Sequence, residues 1–351
     1  AAGNQTLESG LKGVEDGSLD YVMLGRGLLA DPYFPKKAFE GKDEDIRPCI
    51  RCNEFCFARA FAQHPLTCAV NTRAGNEKVL AIKKSEQPKK VAIVGGGVSG
   101  LEAARVAALK GHSVTVYEKS NQLGGQVIAA AAPPFKKQLK RFLEYLIRQV
   151  KQLGVAIVYN KAITANSPEL KNADEILVAI GASSIKPGIP GMDNGKVIDV
   201  IDAHTTRHGE IGSTVVIAGG GLSGCDCAIE LAMESKQVTI VEMLSRVAMK
   251  SNLANQPCIN KVLAEKKVTV LTDSKVLSFG DEGVTIENKE GKKQVLAADT
   301  IITAFGTKAN SELADEIFLN NQKVKVIGDC CTVGLVGTAV RDGFMAAWAI
   351  D

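Results

Sequence analysis

Two stretches of this chain are near copies of one another, and they restrict its fold more than any other feature. Val91–Val94 runs into Gly95-Gly96-Gly97-Val98-Ser99-Gly100, and Ser213–Ala218 runs into Gly219-Gly220-Gly221-Leu222-Ser223-Gly224. Each is an apolar strand, a G-x-G-x-x-G turn and the start of a helix. In such a turn the first glycine allows the tight bend, the second the close approach of a pyrophosphate, and the third the packing of helix on strand. The helix N-terminus then faces the phosphates. A lone match of this kind is weak. Here each is followed by a second strand that ends in an acid, Glu118 or Glu242, each eighteen residues past the last glycine. A carboxylate at that place can take both hydroxyls of a ribose. Repetition of the whole unit implies two bound nucleotides and an α/β fold with two Rossmann-like domains.

Ahead of both copies lie Cys49, Cys52, Cys56 and Cys68, spaced C-x2-C-x3-C-x11-C. Four thiols within twenty residues can close a sulfur cage, and soft thiolates in that arrangement select zinc or an iron–sulfur cluster. A zinc staple and four separate core cysteines are the competing readings. The remaining five of the nine cysteines are scattered, which argues for a reducing interior rather than a disulfide framework. Cys225 and Cys227 are one residue apart, unlike the C-x-x-C of a redox dithiol, and are expected to pack as small hydrophobes. Cys330 and Cys331 are expected to be structural.

Before the cysteines, Leu7–Gly13 reads as a weakly amphipathic helix and Tyr21–Leu24 as a short strand ending at Gly25 and Arg26. With Gly3 where a preceding strand would end, this is how a βα barrel presents phosphate ligands at its C-terminal rim. A surface arginine after a strand would look the same. Lys36–Arg47 is charged and expected to be solvated, and Asn53 and Asn71 are expected to be turn residues. The four histidines, His64, His112, His204 and His208, are expected on surfaces or loops. The start, Ala1–Asn4, has no methionine, basic segment or apolar core of a signal and reads as the interior of a longer chain. The 42 basic and 39 acidic residues leave a net charge of +3, too little to build a field for nucleic acid. No apolar run is long enough to cross a bilayer. A soluble, cytoplasmic protein is the expectation.

The stretch from Asp20 through the cysteines to Asn71 resembles the iron–sulfur flavoenzymes of the old yellow enzyme type. That family includes 2,4-dienoyl-CoA reductase, enoate reductase and trimethylamine dehydrogenase, and the similarity continues to the C-terminus. Thr72 departs from the family, which usually has proline there. The resemblance implies a 4Fe-4S cluster on Cys49, Cys52, Cys56 and Cys68, and an FMN phosphate on Gly25 and Arg26. It implies FAD on the first copy (Gly95, Gly97, Ser99, Gly100, Glu118), because the family carries the same Leu123-Gly124-Gly125-Gln126 in its FAD domain. Gly181 would lie in the small-residue turn covering the cofactor, and Asp329 would hold the FAD ribityl chain. The second copy (Gly219, Gly221, Ser223, Gly224, Glu242, with Gly306 closing it) would bind NADH, since an acid at that strand end repels a 2′-phosphate. Arg246, four residues on, could soften that preference toward NADPH.

The implied layout is a barrel end over 1–35, a cluster loop over 36–85, an FAD domain over 86–210 plus 311–351, and an NAD(H) domain over 211–310. The implied chemistry is hydride from NADH to FAD, single electrons through the cluster to FMN, and reduction of a small molecule with an activated C=C bond. The residues that would act on that substrate are expected outside this chain, and a homo-oligomer or an electron-transfer partner protein is compatible with the scheme. Two rivals stay open at this stage: a subunit like the small subunit of glutamate synthase, and an electron-transfer module with ADP in the second site.

Overall fold

The computed structural model describes residues 6–351, so the suggested place of Gly3 falls outside the described residues. The chain forms two compact units. One comprises residues up to Val127, 138–182 and 309–351; the other comprises 128–137 and 183–308.

The first unit is built on a five-stranded sheet in the order Val324–Val326, Glu175–Val178, Lys90–Val94, Ser113–Tyr117, Ala156–Val158. Every pairing is parallel. Parallel strands are covered on both faces and therefore read as continuous apolar runs. Val91–Val94 and Glu175–Val178 are buried throughout. The strand order reverses on either side of Lys90–Val94, which places its C-terminal end, and hence Gly95, at the switch point where such sheets bind ligands. The helix Val98–Leu109 is apolar nearly all round and buried over Val98–Ala107. Its other neighbour is the C-terminal helix Val336–Trp348, where a Cβ on Gly343 would stand 2.1 Å from the Ser99 carbonyl oxygen. The basic helix Lys137–Gln152 buries a stripe of Phe142, Tyr145, Leu146 and Val150 and leaves its charged face to water.

Residues 6–85 contribute short helices at Leu7–Glu15, Arg26–Ala30, Phe34–Phe39 and Phe57–Phe61. The strand expected at Tyr21–Leu24 is reduced to one bridge residue, Met23. Tyr21 is 85% exposed and Met23 67%, while Val22 and Leu24 between and after them are half-buried, so the run alternates and only one face is covered.

The second unit repeats the first. Its sheet runs Val197–Asp199, Thr300–Thr303, Thr214–Ala218, Gln237–Val241, Thr269–Leu271, again all parallel. An antiparallel three-stranded sheet, Ser274–Gly280, Gly283–Asn288 and Lys293–Ala297, packs Val276, Phe279, Val284 and Ile286 against Val216, Ala218 and Val241. The sequence reading kept residues up to 210 in the first nucleotide domain. Val197–Asp199 instead pairs with Thr300–Thr303, so the chain passes into the second unit at 182/183. A three-residue strand carries too little pattern to declare its sheet. Among the described residues, no helix is long and apolar enough to cross a membrane.

Candidate dinucleotide sites and cysteine pocket

The two glycine turns have the same geometry. Gly95 and Gly219 sit at φ +107° and +110°, where a Cβ would stand 2.3 Å from the Ala179 and 2.4 Å from the Ala304 carbonyl oxygen. A Cβ on Gly100 or Gly224 would come within 2.0 Å of the Gly95 or Gly219 oxygen, so any side chain there would separate helix from strand. Gly97 and Gly221 differ from these: nothing lies within 4 Å of a Cβ on either. Each is the residue before the first turn of its helix. The backbone is therefore tight on the protein side and open on the side where a helix N-terminus presents free N–H groups.

The acids are fixed by the same loops. Glu118 accepts from the backbone N–H of Gly96 at 2.8 Å and of Ser120 at 2.8 Å. Glu242 accepts from Gly220 at 2.7 Å and Leu244 at 2.8 Å. Both side chains are buried, yet each carboxylate retains lone pairs beyond those two bonds.

The copies diverge at the next segment. In the first unit Gly124 donates to the Gly96 oxygen at 2.9 Å and bridges Gly97, Gly125 sits at φ +56°, and Gln126 Nε2 donates to the Ala182 oxygen at 2.7 Å. The second unit uses a bulkier pair there, with Ala248 donating to the Gly220 oxygen at 2.7 Å and Val247 against Gly220. Ser99 is buried and its Oγ has no hydrogen-bond partner, whereas its counterpart Ser223 is exposed. The orphaned Ser99 lies against Gly328, whose Cβ would stand 3.0 Å from its Oγ. Asp329 follows, accepting from the Gly334 N–H at 3.1 Å. Burial raises the Asp329 pKa, opposed by that bond and helped by Asp342. Gly181 and Gly306, at φ +70° and +86°, end equivalent turns with open space beside them. Arg246 is exposed, with its Nε on the Met249 sulfur.

In the first unit, Cys49, Cys52, Cys56 and Cys68 line one pocket with Arg26, Leu29, Ile50, Asn53, Ala69 and Val70. Tight turns bring them together: Arg51 and Asn53 both adopt φ +58°, and the Arg51 N–H points at Cys49 Sγ at 3.4 Å. Arg26 donates to Asn53 Oδ1 at 2.5 Å, and Asn71 donates to the Leu29 oxygen at 3.0 Å. Gly25 precedes the short helix that starts at Arg26. Burial pushes the Cys52 thiol up to about 12 and Cys68 up to about 11, and raises Cys49. Such thiols stay neutral unless a cation displaces their protons.

One expectation is corrected, and two of the histidines lie in loops as expected but are buried there. Arg47 is buried, not solvated: it donates to the Val70 oxygen at 2.7 Å and the Tyr145 hydroxyl at 3.4 Å, with its guanidinium 5.4 Å from the Tyr145 ring centre. His112 is buried and accepts from the Lys89 N–H at 3.1 Å. His204 is buried against Glu230 at 2.6 Å. All three are polar side chains whose partners lie far along the chain, and no local pattern announces their burial. Cys225, Cys227 and Cys330 are buried, as expected of packing residues, whereas Cys331 is exposed.

The last helix connects these features. A Cβ on Gly337, in its first turn, would stand 2.9 Å from the Ala69 Cβ and 3.0 Å from Phe55. Ala69 follows Cys68 and Phe55 precedes Cys56, so the helix start packs on the cysteine loop itself.

Residues 89–343 match the family described as Pyridine nucleotide-disulphide oxidoreductase. Cinnamate reductase of Clostridium sporogenes is 36% identical over 94% of this chain and 50% of its own length. Bilirubin reductase of Mediterraneibacter gnavus is 37% identical over 95% of this chain and 52% of its own. Among solved structures, a 2-naphthoyl-CoA reductase complex superposes with a TM-score of 0.90 at 33% identity, over 97% of this chain and 52% of the other. The chain thus spans about half the length of the curated relatives it matches. The chain belongs to the pyridine nucleotide-disulphide oxidoreductase family of NAD(P)H-dependent flavoproteins, in the form found as the C-terminal portion of enoate-reductase and NADH-oxidase-type enzymes.

Proposed function

We propose that this chain is the electron-input half of an NADH-dependent iron–sulfur flavoprotein reductase. The observation that carries the reading is the seat of Gly337 against Ala69 and Phe55, which sets the last helix of the FAD-type unit on the loop that holds four cysteines.

FAD fits the first unit on three grounds: the open side of Gly97, the unpartnered buried hydroxyl of Ser99, and the Asp329 carboxylate beside it. Gly124 and Gly125 pass close to the glycine turn without side chains that would obstruct a long dinucleotide. NADH fits the second unit through Gly221 and Glu242, with the carboxylate opposing a 2′-phosphate. A 4Fe-4S cluster fits the pocket because all four donors are thiols. Gly25 and Arg26 would hold the phosphate of FMN on a barrel end formed by residues 1–35, and residues 36–85 would form the cluster loop.

When bound, a flavin takes two electrons together and can release them singly, while an iron–sulfur cluster carries one. The chain's own part is positional. Glu242 orients the nicotinamide nucleotide, Glu118, Ser99 and Asp329 fix the flavin nucleotide, and Gly337 permits a side-chain-free approach to the cysteine loop. The whole protein would reduce an activated C=C bond in a small molecule, in line with the names of the cinnamate and 2-naphthoyl-CoA reductases it resembles.

Anaerobic rapid mixing of the FAD-loaded protein with NADH tests the reading. Fast loss of the oxidised flavin absorbance is expected. Nucleotide binding with the flavin left oxidised would overturn it in favour of a non-catalytic module.

A further inference from the structure

In the second unit, at the far end of the helix that opens from the second glycine turn, two histidines and two glutamates interlock. His204 and His208 lie four residues apart around the turn before Thr214–Ala218, and Glu230 and Glu234 lie four apart at the end of the helix Leu222–Met233. His204 Nδ1 is 2.6 Å from Glu230 Oε2, and His208 Nε2 is 2.8 Å from Glu234 Oε1. The ligand atoms of His208, Glu230 and Glu234 all lie within 4.8 Å of one another.

Hydrogen bonding fixes what each atom can offer. His208 Nδ1 donates to the Ala203 carbonyl oxygen at 2.8 Å and Nε2 donates to Glu234, so both ring N–H groups are engaged, and a cation would take the place of the Nε2 proton between the ring and the carboxylates. Histidine ligands to metals are oriented in this way, by a carbonyl or carboxylate on the other nitrogen. His204 in turn donates from Nδ1 to Glu230 and holds that carboxylate from behind. Glu234 is the residue that caps the C-terminal end of its helix, where the helix dipole disfavours a carboxylate and favours a cation.

We infer that His208, Glu230 and Glu234 form a divalent-cation site of the zinc class, with Ala203 and His204 as its outer supports. One imidazole with two carboxylates matches zinc-type ligation better than the all-oxygen shells of calcium or magnesium. The cation replaces the direct contact of His208 with Glu234. Tetrahedral ligands at about 2.05 Å stand roughly 3.3 Å apart, so the 2.8 Å pair opens by about half an ångström. The His208 and Glu234 side chains, 32% and 40% exposed, have room for that, and water completes the shell. The bound ion clamps the 204–210 turn to the helix and stabilises the second unit by mass action.

The test is a Co2+ titration of the purified full chain, because cobalt reports its ligands. Cobalt on the cysteines gives a thiolate charge-transfer band, and cobalt on imidazole and carboxylate gives only ligand-field bands. The expected result is one equivalent of Co2+ without the charge-transfer band, bound at least tenfold more weakly by both His208→Ala and Glu234→Gln. Added Zn2+ raises the unfolding temperature of the parent by more than it raises that of either variant. Absence of thiolate-free uptake by the parent, or parent-like affinity in either variant, overturns the site. Both positions are partly exposed, so the variants fold, and circular dichroism before titration verifies it.

Discussion

Gly337 and Ala69 are in contact through a gap that admits no side chain: a Cβ on the glycine would stand 2.9 Å from the alanine methyl. The contact joins the first turn of the last helix to the residue after Cys68, and so links the flavin-type fold directly to the cysteine loop.

Enlarging that position should separate entry of electrons from their onward passage. Gly337→Val forces the helix or the loop to move, at a cost of about 1–3 kcal/mol in stability from overpacking. Flavin reduction by NADH is expected to stay within about twofold of the parent, because Gly97, Ser99, Glu118, Asp329, Gly221 and Glu242, the residues that would hold the two nucleotides, are left unchanged. Rapid mixing followed at flavin and cluster wavelengths should show cluster reduction slowed far more than flavin reduction. Equal slowing of both would show that the contact serves only stability.

Glu242 has two tasks, since it accepts the Gly220 N–H that shapes the turn and offers its remaining lone pairs to a ribose. Glu242→Gln retains an acceptor for Gly220 but loses the charge. Hydrogen bonds to charged groups exceed neutral ones by about 1–1.5 kcal/mol, which is roughly tenfold. The ratio of kcat/KM for NADH over NADPH is therefore expected to fall about tenfold, with about 1–3 kcal/mol of stability lost because the amide nitrogen would face the Leu244 N–H. An unaltered ratio would remove Glu242 from nucleotide selection.

Gly97 and Gly100 stand three residues apart and should respond oppositely to alanine. At Gly97 a methyl meets nothing within 4 Å, whereas at Gly100 it lies 2.0 Å from the Gly95 oxygen. Gly97→Ala should fold normally and bind FAD at least tenfold more weakly, while Gly100→Ala should lose about 1–3 kcal/mol or more of stability. Thermal unfolding of the flavin-free proteins and FAD titration measure the two effects separately. A stable Gly97→Ala variant with parent-like FAD affinity would contradict the phosphate-facing role.

Ser99 should show a trade between folding and binding. Its buried hydroxyl lacks a partner, and removing an unsatisfied buried polar group recovers about 1 kcal/mol or more. Ser99→Ala is expected to raise the unfolding temperature of the flavin-free protein and to weaken FAD binding up to about tenfold. A destabilised flavin-free variant would mean that the hydroxyl is bonded within the protein.

The paired fold was legible because its determinants are local. Strand, glycines, helix, strand and acid follow one another within about thirty residues, and each glycine has a steric reason to be there. The cysteine pocket was legible from spacing alone. The passage at 182/183 was not, because Val197–Asp199 is assigned only by its pairing with Thr300–Thr303, a hundred residues on. Arg47 was read as solvent-facing because charge predicts exposure; its partners, Val70 and Tyr145, are fixed by the tertiary fold. The His204–Glu230 and His208–Glu234 pairs were hidden for the same reason.

The most direct measurement is an anaerobic electron paramagnetic resonance spectrum taken after NADH is added to the FAD- and iron-loaded protein, alongside its iron and acid-labile sulfide content. The account predicts about four irons and four sulfides per chain, and a reduced-cluster signal that appears on NADH addition and is lost in Cys52→Ser. Stoichiometric zinc without iron or sulfide, or a bleached flavin with no cluster signal, would contradict it.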